Sequence, residues 1–235
     1  MTINTAHRST KKEIMDDLDM NGTLLISSLD QLANINKWLG GNRITIKGLK
    51  TLLQNVSKEQ TISIVDLGCG NGDMLRRVAA FGMKNGYTFQ LRGIDANQAT
   101  IDYAIELSVN FPEITYSKED VLSKEFGFHT YDIAMCTLFL HHFEDQVALD
   151  LIETLIQNAK FGLIVNDLHR HWVAYYLFSL LTLVVSNHMT REDGLTSILK
   201  AFKRKDLERF SNKIKYKSTL TWRWAFRYLW IIKKI

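Results

Sequence analysis

The 235-residue chain has an ordinary globular composition, with 46% hydrophobic residues, 23% charged residues and a net charge of +4. These proportions exclude wholesale disorder, and so small a charge does not by itself imply a nucleic-acid partner. The length fits one domain with room for a capping segment. Cys69 and Cys136 form neither a disulfide framework nor a metal-binding spacing, so a reducing cytoplasm is the expected compartment.

No segment of the sequence is typical of a secretion signal or a membrane span. The first ten residues lack the apolar core of a signal peptide. The most apolar stretch, 172–186, has fifteen residues, which is too short to cross a bilayer as a helix. We expect it to form a buried helix or the wall of an apolar pocket, with loose membrane association as the alternative.

The pattern of apolar residues predicts a helical prefix followed by alternating strands and helices. Residues 1–20 are predicted to be a polar, partly ordered start, and helical periodicity follows at 24–39 and 43–54. Such alternation is typical of a mainly parallel, doubly wound α/β sheet. The predicted strands are 62–67, 88–94, 114–117, 131–136, 161–166, 215–222 and 224–232, and the later helices are 73–85, 98–109, 145–158, 171–186, 190–202 and 206–212.

The most informative segment is 64–73, where the first strand ends at an acid and a glycine-rich turn follows. Asp66 closes the strand, and Gly68, Gly70 and Gly72 occupy alternate positions before a predicted helix. A strand, a glycine turn and a helix N-terminus together form a nucleotide pocket. The spacing is not that of a dinucleotide fingerprint, and the acid would repel a pyrophosphate. It suits a ligand with cationic groups, such as S-adenosylmethionine; an ordinary turn without a ligand is the alternative.

This segment resembles the first motif of class I S-adenosylmethionine-dependent methyltransferases, and the match extends over about residues 60–167. The resemblance implies S-adenosyl-L-methionine as the cofactor and a Rossmann-like sheet of seven strands, with the last strand antiparallel. We expect residues 1–57 to form a helical N-terminal cap or lid. Residues 58–235 would then form the methyltransferase domain, with a lid insertion at about 171–202.

Acids also follow the second and third predicted strands. Asp95 is expected to accept both ribose hydroxyls, with a helix N-cap as its alternative role. The resemblance implies that Asp120 and Val121 meet the adenine, with a solvated turn as the alternative. The complete set of expected cofactor-binding residues is Asp66, Gly68, Cys69, Gly70, Asp95, Ala96, Asp120, Val121, Cys136 and Thr137.

Histidines follow the fourth and fifth predicted strands and are the candidate catalytic residues. Histidine is a suitable base near pH 7, and we expect His142 or His141 first and His169 or His171 second. Structural roles are the alternative. The His-x-His pair could ligate zinc, but no cysteine or acid cluster completes a site, so no metal is expected.

The Leu-His-His-Phe segment at 140–143 resembles methyltransferases of quinone and polyketide pathways, and segments 13–17, 35–41, 191–197 and 201–203 resemble a bacterial subgroup linked to aromatic polyketides. The resemblance implies a small aromatic, phenolic or quinone-like acceptor, with O-methylation favoured. The alternatives are C- or N-methylation, or a module that binds the cofactor without catalysis.

One further alternative, RNA methylation, rests on the basic stretch 200–217. A solvated helix face is the simpler explanation. We therefore expect a small-molecule partner, no nucleic acid, no transmembrane segment, and a monomer or homodimer.

Overall fold

A computed structural model describes residues 3–184 and 187–234, and these residues build one seven-stranded sheet. The strands are β1 (Thr61–Leu67), β2 (Thr88–Asp95), β3 (Ile114–Lys118), β4 (Tyr131–Thr137), β5 (Ala159–Leu168), β6 (Lys217–Arg223) and β7 (Arg227–Lys233). Their order is β3-β2-β1-β4-β5-β7-β6, with β1 to β5 mutually parallel and β7 antiparallel to both neighbours. The predicted fold class is confirmed, including the antiparallel last strand.

Within these residues, eight α-helices cover the sheet and line its upper edge. They are α1 (Gly22–Trp38), α2 (Gly41–Leu52), α3 (Asp73–Asn85), α4 (Gln98–Leu107), α5 (Asp145–Asn158), α6 (Trp172–Leu181), α7 (His188–Lys200) and α8 (Arg204–Lys213). Most ends lie within a few residues of the predicted ones. The helix predicted at 171–186 ends earlier, at Leu181, where a 3-10 turn (Thr182–Val184) follows; residues 185–186 lie outside the described part of the chain.

The core consists of two apolar layers, one on each face of the sheet. Along β1, Val65 and Leu67 pack in the layer that contains α5 and α8, whereas Ile62 and Ile64 pack in the layer that contains α2 and α3. Alternate side chains point to opposite faces of a strand, so a strand buried on both faces is apolar nearly throughout. This explains why β1 was visible in the sequence as a continuous apolar run.

The first twenty residues depart from the prediction of a polar, partly ordered start. Glu13 is buried, and a 3-10 turn at Ile14–Asp16 packs against α7. The carboxylate of Asp193 accepts the backbone N–H groups of Ile14 and Met15 at 2.6 and 2.9 Å. These contacts join residues about 180 positions apart, so no local pattern in the sequence signals them.

Helix α6 is the apolar wall that the sequence predicted, but only one side of it is covered. Ala174 and Phe178 line the cavity described below, while Trp172 and Leu180 are exposed. Within residues 3–184 and 187–234, every helix is too short or too polar to traverse a lipid bilayer.

Candidate active site

A cavity of about 640 Å³ lies over the carboxyl ends of β1, β2, β4 and β5. In open α/β sheets this edge is where ligands bind. The glycine turn and the acids after the strands line one end of the cavity. Helix α6 and the turn before β7 line the other end, and α1 contributes to the wall. One space therefore connects the expected cofactor residues with the candidate catalytic histidines.

The glycine turn requires its glycines. Gly68, Gly70 and Gly72 have φ angles of 64°, 52° and 76°, in the left-handed region that other residues rarely adopt. A Cβ at Gly68 would lie 2.2 Å from the ring of Phe139. The turn therefore keeps bare backbone on the cavity wall, where a ligand can approach closely.

Asp66 is buried beside this turn without a cationic partner. It is 1% exposed, and its Oδ1 has no hydrogen-bond partner in the described structure. Burial, reinforced by the charge of Asp95, raises the pKa of Asp66 to about 8. A buried carboxyl with a free oxygen on a cavity wall fits a ligand that brings an ammonium or a sulfonium. The residues of this end therefore fit S-adenosylmethionine.

Asp95 lies at the end of β2 and faces the same part of the cavity. Its oxygens accept the backbone N–H groups of Gly70 at 3.2 Å and Asn97 at 3.1 Å. Burial raises the pKa of Asp95, although these hydrogen bonds act in the opposite direction. The alternative role of Asp95 as the N-cap of α4 falls to Asn97, whose side chain accepts the N–H of Thr100 at 2.9 Å.

The remaining expected cofactor residues divide into those on the cavity wall and one in the core. Asp120 is exposed at the rim, where it accepts the N–H of Leu122 at 2.9 Å. Thr137 shares a hydrogen bond of 3.1 Å with Thr45 of α2. Cys136 does not line the cavity, because its side chain packs in the core at 1% exposure. The other expected residues on the wall are Gly68, Cys69, Gly70, Ala96 and Val121.

His141 is buried on the cavity wall and is oriented by an acid that the sequence analysis did not single out. Its Nδ1 lies 2.7 Å from Oδ1 of Asp167, and its backbone N–H donates to Oδ2 at 3.1 Å. Burial opposes ionisation of Asp167, but His141 and the N–H of Leu168 keep the pKa of this carboxyl below its usual value. With Nδ1 held by Asp167, Nε2 of His141 has no hydrogen-bond partner in the described chain. The available signal was an acid at the end of the fifth predicted strand.

His142 is bound to the N-terminal segment. Its Nδ1 lies 2.7 Å from Oδ1 of Asp16, whose other oxygen accepts from Nζ of Lys200 at 3.2 Å. Burial alone would lower the pKa of His142, but the hydrogen bond to Asp16 and the charges of Glu13 and Asp16 raise it above its usual value. Burial also works against ionisation of Asp16, yet His142 and Lys200 hold the pKa of Asp16 well below its usual range. His142 therefore favours the protonated form more than an isolated histidine does.

His169 lines the cavity, whereas His171 does not. Burial lowers the pKa of His169 to about 4, with help from the charges of His171 and Lys203. Its Nδ1 accepts the indole N–H of Trp222 at 3.2 Å. His171 instead caps α6, because its ring accepts the N–H of Val173. His169 is thus a weak base, and His171 has the structural role that the sequence left open.

One group of side chains has a spacing suitable for metal ligation. Potential ligand atoms of Glu13, His141 and His142 lie within 4.8 Å of one another. Nζ of Lys200 lies 3.3 Å from Oε1 of Glu13 and 3.2 Å from Oδ2 of Asp16. This ammonium already neutralises the acids, so the charge of the cluster needs no metal ion.

Three of the eight basic residues in the stretch that suggested RNA form ion pairs with acids in the described structure. Lys200 is buried against Glu13, Arg204 pairs with Glu208 on the same helix, and Arg209 pairs with Asp145. These residues therefore do not present one free cationic face.

Comparison with known proteins indicates the enzyme class. Residues 64–162 match the model of a family described as a methyltransferase domain. Over these residues the chain is similar to a methyltransferase domain. Together with the fold and the acid-lined glycine turn, this match confirms the predicted enzyme class, a methyltransferase dependent on S-adenosyl-L-methionine. No curated protein sequence matches the chain.

Solved structures share the fold at low sequence identity. The plantazolicin methyltransferase BpumL in complex with SAH is 14% identical, with 90% of this chain and 94% of that chain covered and a TM-score of 0.65. Magnesium protoporphyrin IX methyltransferase from Synechocystis PCC 6803 with bound SAM is 13% identical, with 86% and 84% covered and a TM-score of 0.58. The CMeT domain of the citrinin polyketide synthase is 12% identical, with 78% and 49% covered and a TM-score of 0.59.

Proposed function

We propose that this protein methylates a hydroxyl group on a small, apolar acceptor with an aromatic or quinone-like ring. The sulfonium of the bound donor supplies an electrophilic methyl group. The protein then has to hold the acceptor oxygen in line with that methyl, within about 3–3.5 Å, and accept the proton of the hydroxyl. His141 is the residue best placed to accept it.

The observation that carries the proposal is Nε2 of buried His141, which has no hydrogen-bond partner in the described chain and lies 3.7 Å from Oε1 of Glu13. Asp167 binds Nδ1, so the neutral ring carries its proton there and keeps the lone pair of Nε2 free. An acid that orients an imidazole and stabilises its charged form is the arrangement of a general base. His142 is a poorer candidate, because its bond to Asp16 favours the protonated ring.

The walls of the acceptor end support an apolar ring. Leu177, Phe178 and Leu181 of α6 line this part of the cavity. The similar structures are named for plantazolicin, magnesium protoporphyrin IX and a citrinin polyketide synthase, so their names alone do not select an acceptor. The preference for a phenol or quinol rests on these walls, on the base, and on the resemblance of 140–143 to quinone and polyketide enzymes.

Residues 1–57 and 171–202 would form the lid of this site. The 3-10 turn at Ile14–Asp16 contacts α7 through Asp193, and α6 covers the acceptor end. Closing the site would keep water away from the sulfonium.

Methyl transfer from labelled S-adenosylmethionine to a panel of phenols and quinols tests the proposal. We expect transfer to oxygen in the unaltered protein and a kcat lower by about 100- to 10,000-fold in His141→Gln, with unchanged affinity for S-adenosylhomocysteine. His188→Gln is the matched control, because that histidine is exposed on α7. Donor binding without transfer to any panel member would favour a non-catalytic module, and methylation at carbon or nitrogen would replace the proposed chemistry.

A further inference from the structure

The cavity contains a buried arginine that the predicted site does not use. Arg227 is the first residue of β7, lines the cavity and is 2% exposed. Its Nε and Nη1 are buried without a hydrogen-bond partner in residues 3–184 and 187–234. A guanidinium is normally fully paired when it is taken out of water, because a buried unpaired charge is costly.

No acid of the described structure forms an ion pair with Arg227. Asp167 is the acid whose charge acts on it, but both oxygens of Asp167 already accept hydrogen bonds from His141, and Oδ1 also accepts the N–H of Leu168. Burial lowers the pKa of Arg227 to about 10, so the group still carries its charge at neutral pH. The cavity therefore contains a cation whose hydrogen-bond donors are available to a ligand.

The guanidinium lies against the start of α2. A Cβ on Gly41 would lie 3.0 Å from Cζ of Arg227 and 1.9 Å from Oδ1 of Asn36, so only glycine leaves this space. The N-cap of α2 is Gly40, which offers no side chain to the N–H groups of the first turn. A helix N-terminus favours an anion, and here it adjoins an unpaired buried arginine.

We propose that Arg227 and the first turn of α2 bind a carboxylate group within the methyltransferase cavity. Guanidinium and carboxylate match in plane and in hydrogen-bond spacing, which favours a carboxylate over a point-like anion. The inference rests on the proposed function, because two reactants of that site can bring the group. One source is the amino-acid carboxylate of the donor, and the other is a carboxylate on the acceptor.

Isothermal calorimetry with two nucleosides tests the donor as the source. S-adenosylhomocysteine carries the amino-acid carboxylate, whereas 5′-methylthioadenosine lacks it. If the donor is the source, Arg227→Gln weakens S-adenosylhomocysteine by roughly 10- to 100-fold and leaves 5′-methylthioadenosine unchanged. If Arg227 has only a structural role, the substitution lowers the affinities for S-adenosylhomocysteine and 5′-methylthioadenosine by the same factor.

The acceptor arm compares 4-hydroxybenzoate with its methyl ester in the presence of S-adenosylhomocysteine. If the acceptor is the source, Arg227→Gln leaves both nucleosides unchanged but removes the preference for the acid over the ester. Two affinity ratios are compared between Arg227→Gln and the unaltered protein: S-adenosylhomocysteine to 5′-methylthioadenosine, and 4-hydroxybenzoate to its methyl ester. The proposal is overturned if neither ratio differs between the two proteins.

A folding defect is controlled in two ways. Retained binding of 5′-methylthioadenosine reports an intact cavity. If Arg227→Gln loses that binding, Arg227→Lys, which keeps the charge without the planar fork, is measured with the same ligands, and unchanged ratios then reject the site. Because every readout is binding, the result is independent of the His141→Gln turnover experiment, so either proposal can fail alone.

Discussion

At the carboxyl ends of β1 and β2, buried Asp66 and half-buried Asp95 have no ion-pair partner among the described residues, whereas Asp16 and Glu13 of the N-terminal segment face His142 and Lys200. The first pair of acids has its pKa values raised, and Asp16 has its pKa lowered. Burial is common to both ends, so the difference comes from neighbouring charge. The proposed donor end therefore depends on a cation that the ligand must bring, while the acids of the N-terminal segment are neutralised by the protein itself.

The strongest challenge to this comparison is Asp95→Ala. If Asp95 accepts two ribose hydroxyls, the substitution removes two charge-assisted hydrogen bonds of about 1.5–3 kcal/mol each. Affinity for S-adenosylhomocysteine should then fall by roughly 100- to 10,000-fold, as measured by calorimetry. Asp95→Asn keeps an acceptor for the N–H of Gly70 and separates local structure from ribose binding. Asp150→Ala on α5 is the exposed control, and an unchanged affinity in Asp95→Ala would refute the assigned role.

Asp16→Asn tests the acids of the N-terminal segment, for which the protein supplies the positive partners His142 and Lys200. Loss of the charged hydrogen bond to His142 should cost about 1.5–3 kcal/mol near pH 6, a decrease in Tm of roughly 3–10 °C. The lowered pKa of Asp16 makes its contribution disappear as the pH falls below the usual aspartate value of 3.8. The raised pKa of His142 makes its contribution disappear as the pH rises above 6.5.

The Tm difference between the unaltered protein and Asp16→Asn should therefore be largest between pH 4 and 6.5 and should shrink on either side. Thermal unfolding measured across this range checks the prediction. Equal differences at pH 6 and pH 9 would show that the pair does not stabilise the N-terminal segment.

Asp66→Asn is expected to give the smallest effect, a change in the number of protons released when the ligand binds. The pKa of Asp66 is raised from 3.8 to about 8, so this carboxyl is mostly protonated at pH 7 in the free protein. A bound ammonium favours the ionised form, so binding of S-adenosylhomocysteine should release up to about one proton. Calorimetry at pH 7 in buffers of different ionisation enthalpy measures this number. Asp66→Asn should lack the release, and identical release in both proteins would exclude Asp66 as its source.

The donor end could be predicted from the sequence because its signals are local. Asp66 and the glycines after it are adjacent in the chain, and Asp95 follows the next strand. Parallel strands place their carboxyl ends at one edge of the sheet, so local order determines spatial proximity. Only the direction of the Cys136 side chain departs from the expected wall, since alternate residues of β4 face opposite layers.

The contacts around Glu13, His141 and Lys200 could not be predicted in the same way. Glu13 and Asp16 meet Lys200 across more than 180 positions, and Asp167 reaches His141 only after β4 and β5 pair. Histidines near strand ends were visible, but the sequence did not distinguish a free Nε2 in His141 from the capping ring of His171. Long-range polar contacts decide these roles.

The N-terminal segment contacts the rest of the molecule through charged pairs as well as through an apolar cluster that includes Ile14, Met15 and Met20. Arg8 donates hydrogen bonds to the carbonyls of His141 and Phe143 and forms an ion pair with Asp145. Asp16 and Glu13 form ion pairs with Lys200. Ionic strength weakens the partly exposed Arg8–Asp145 pair more than it weakens the buried Lys200–Glu13 pair or the apolar packing in the sheet. Concentrated salt should therefore loosen the N-terminal segment over the acceptor, while the sheet beneath the nucleoside stays folded. Thermal unfolding in such salt should then show two transitions rather than one.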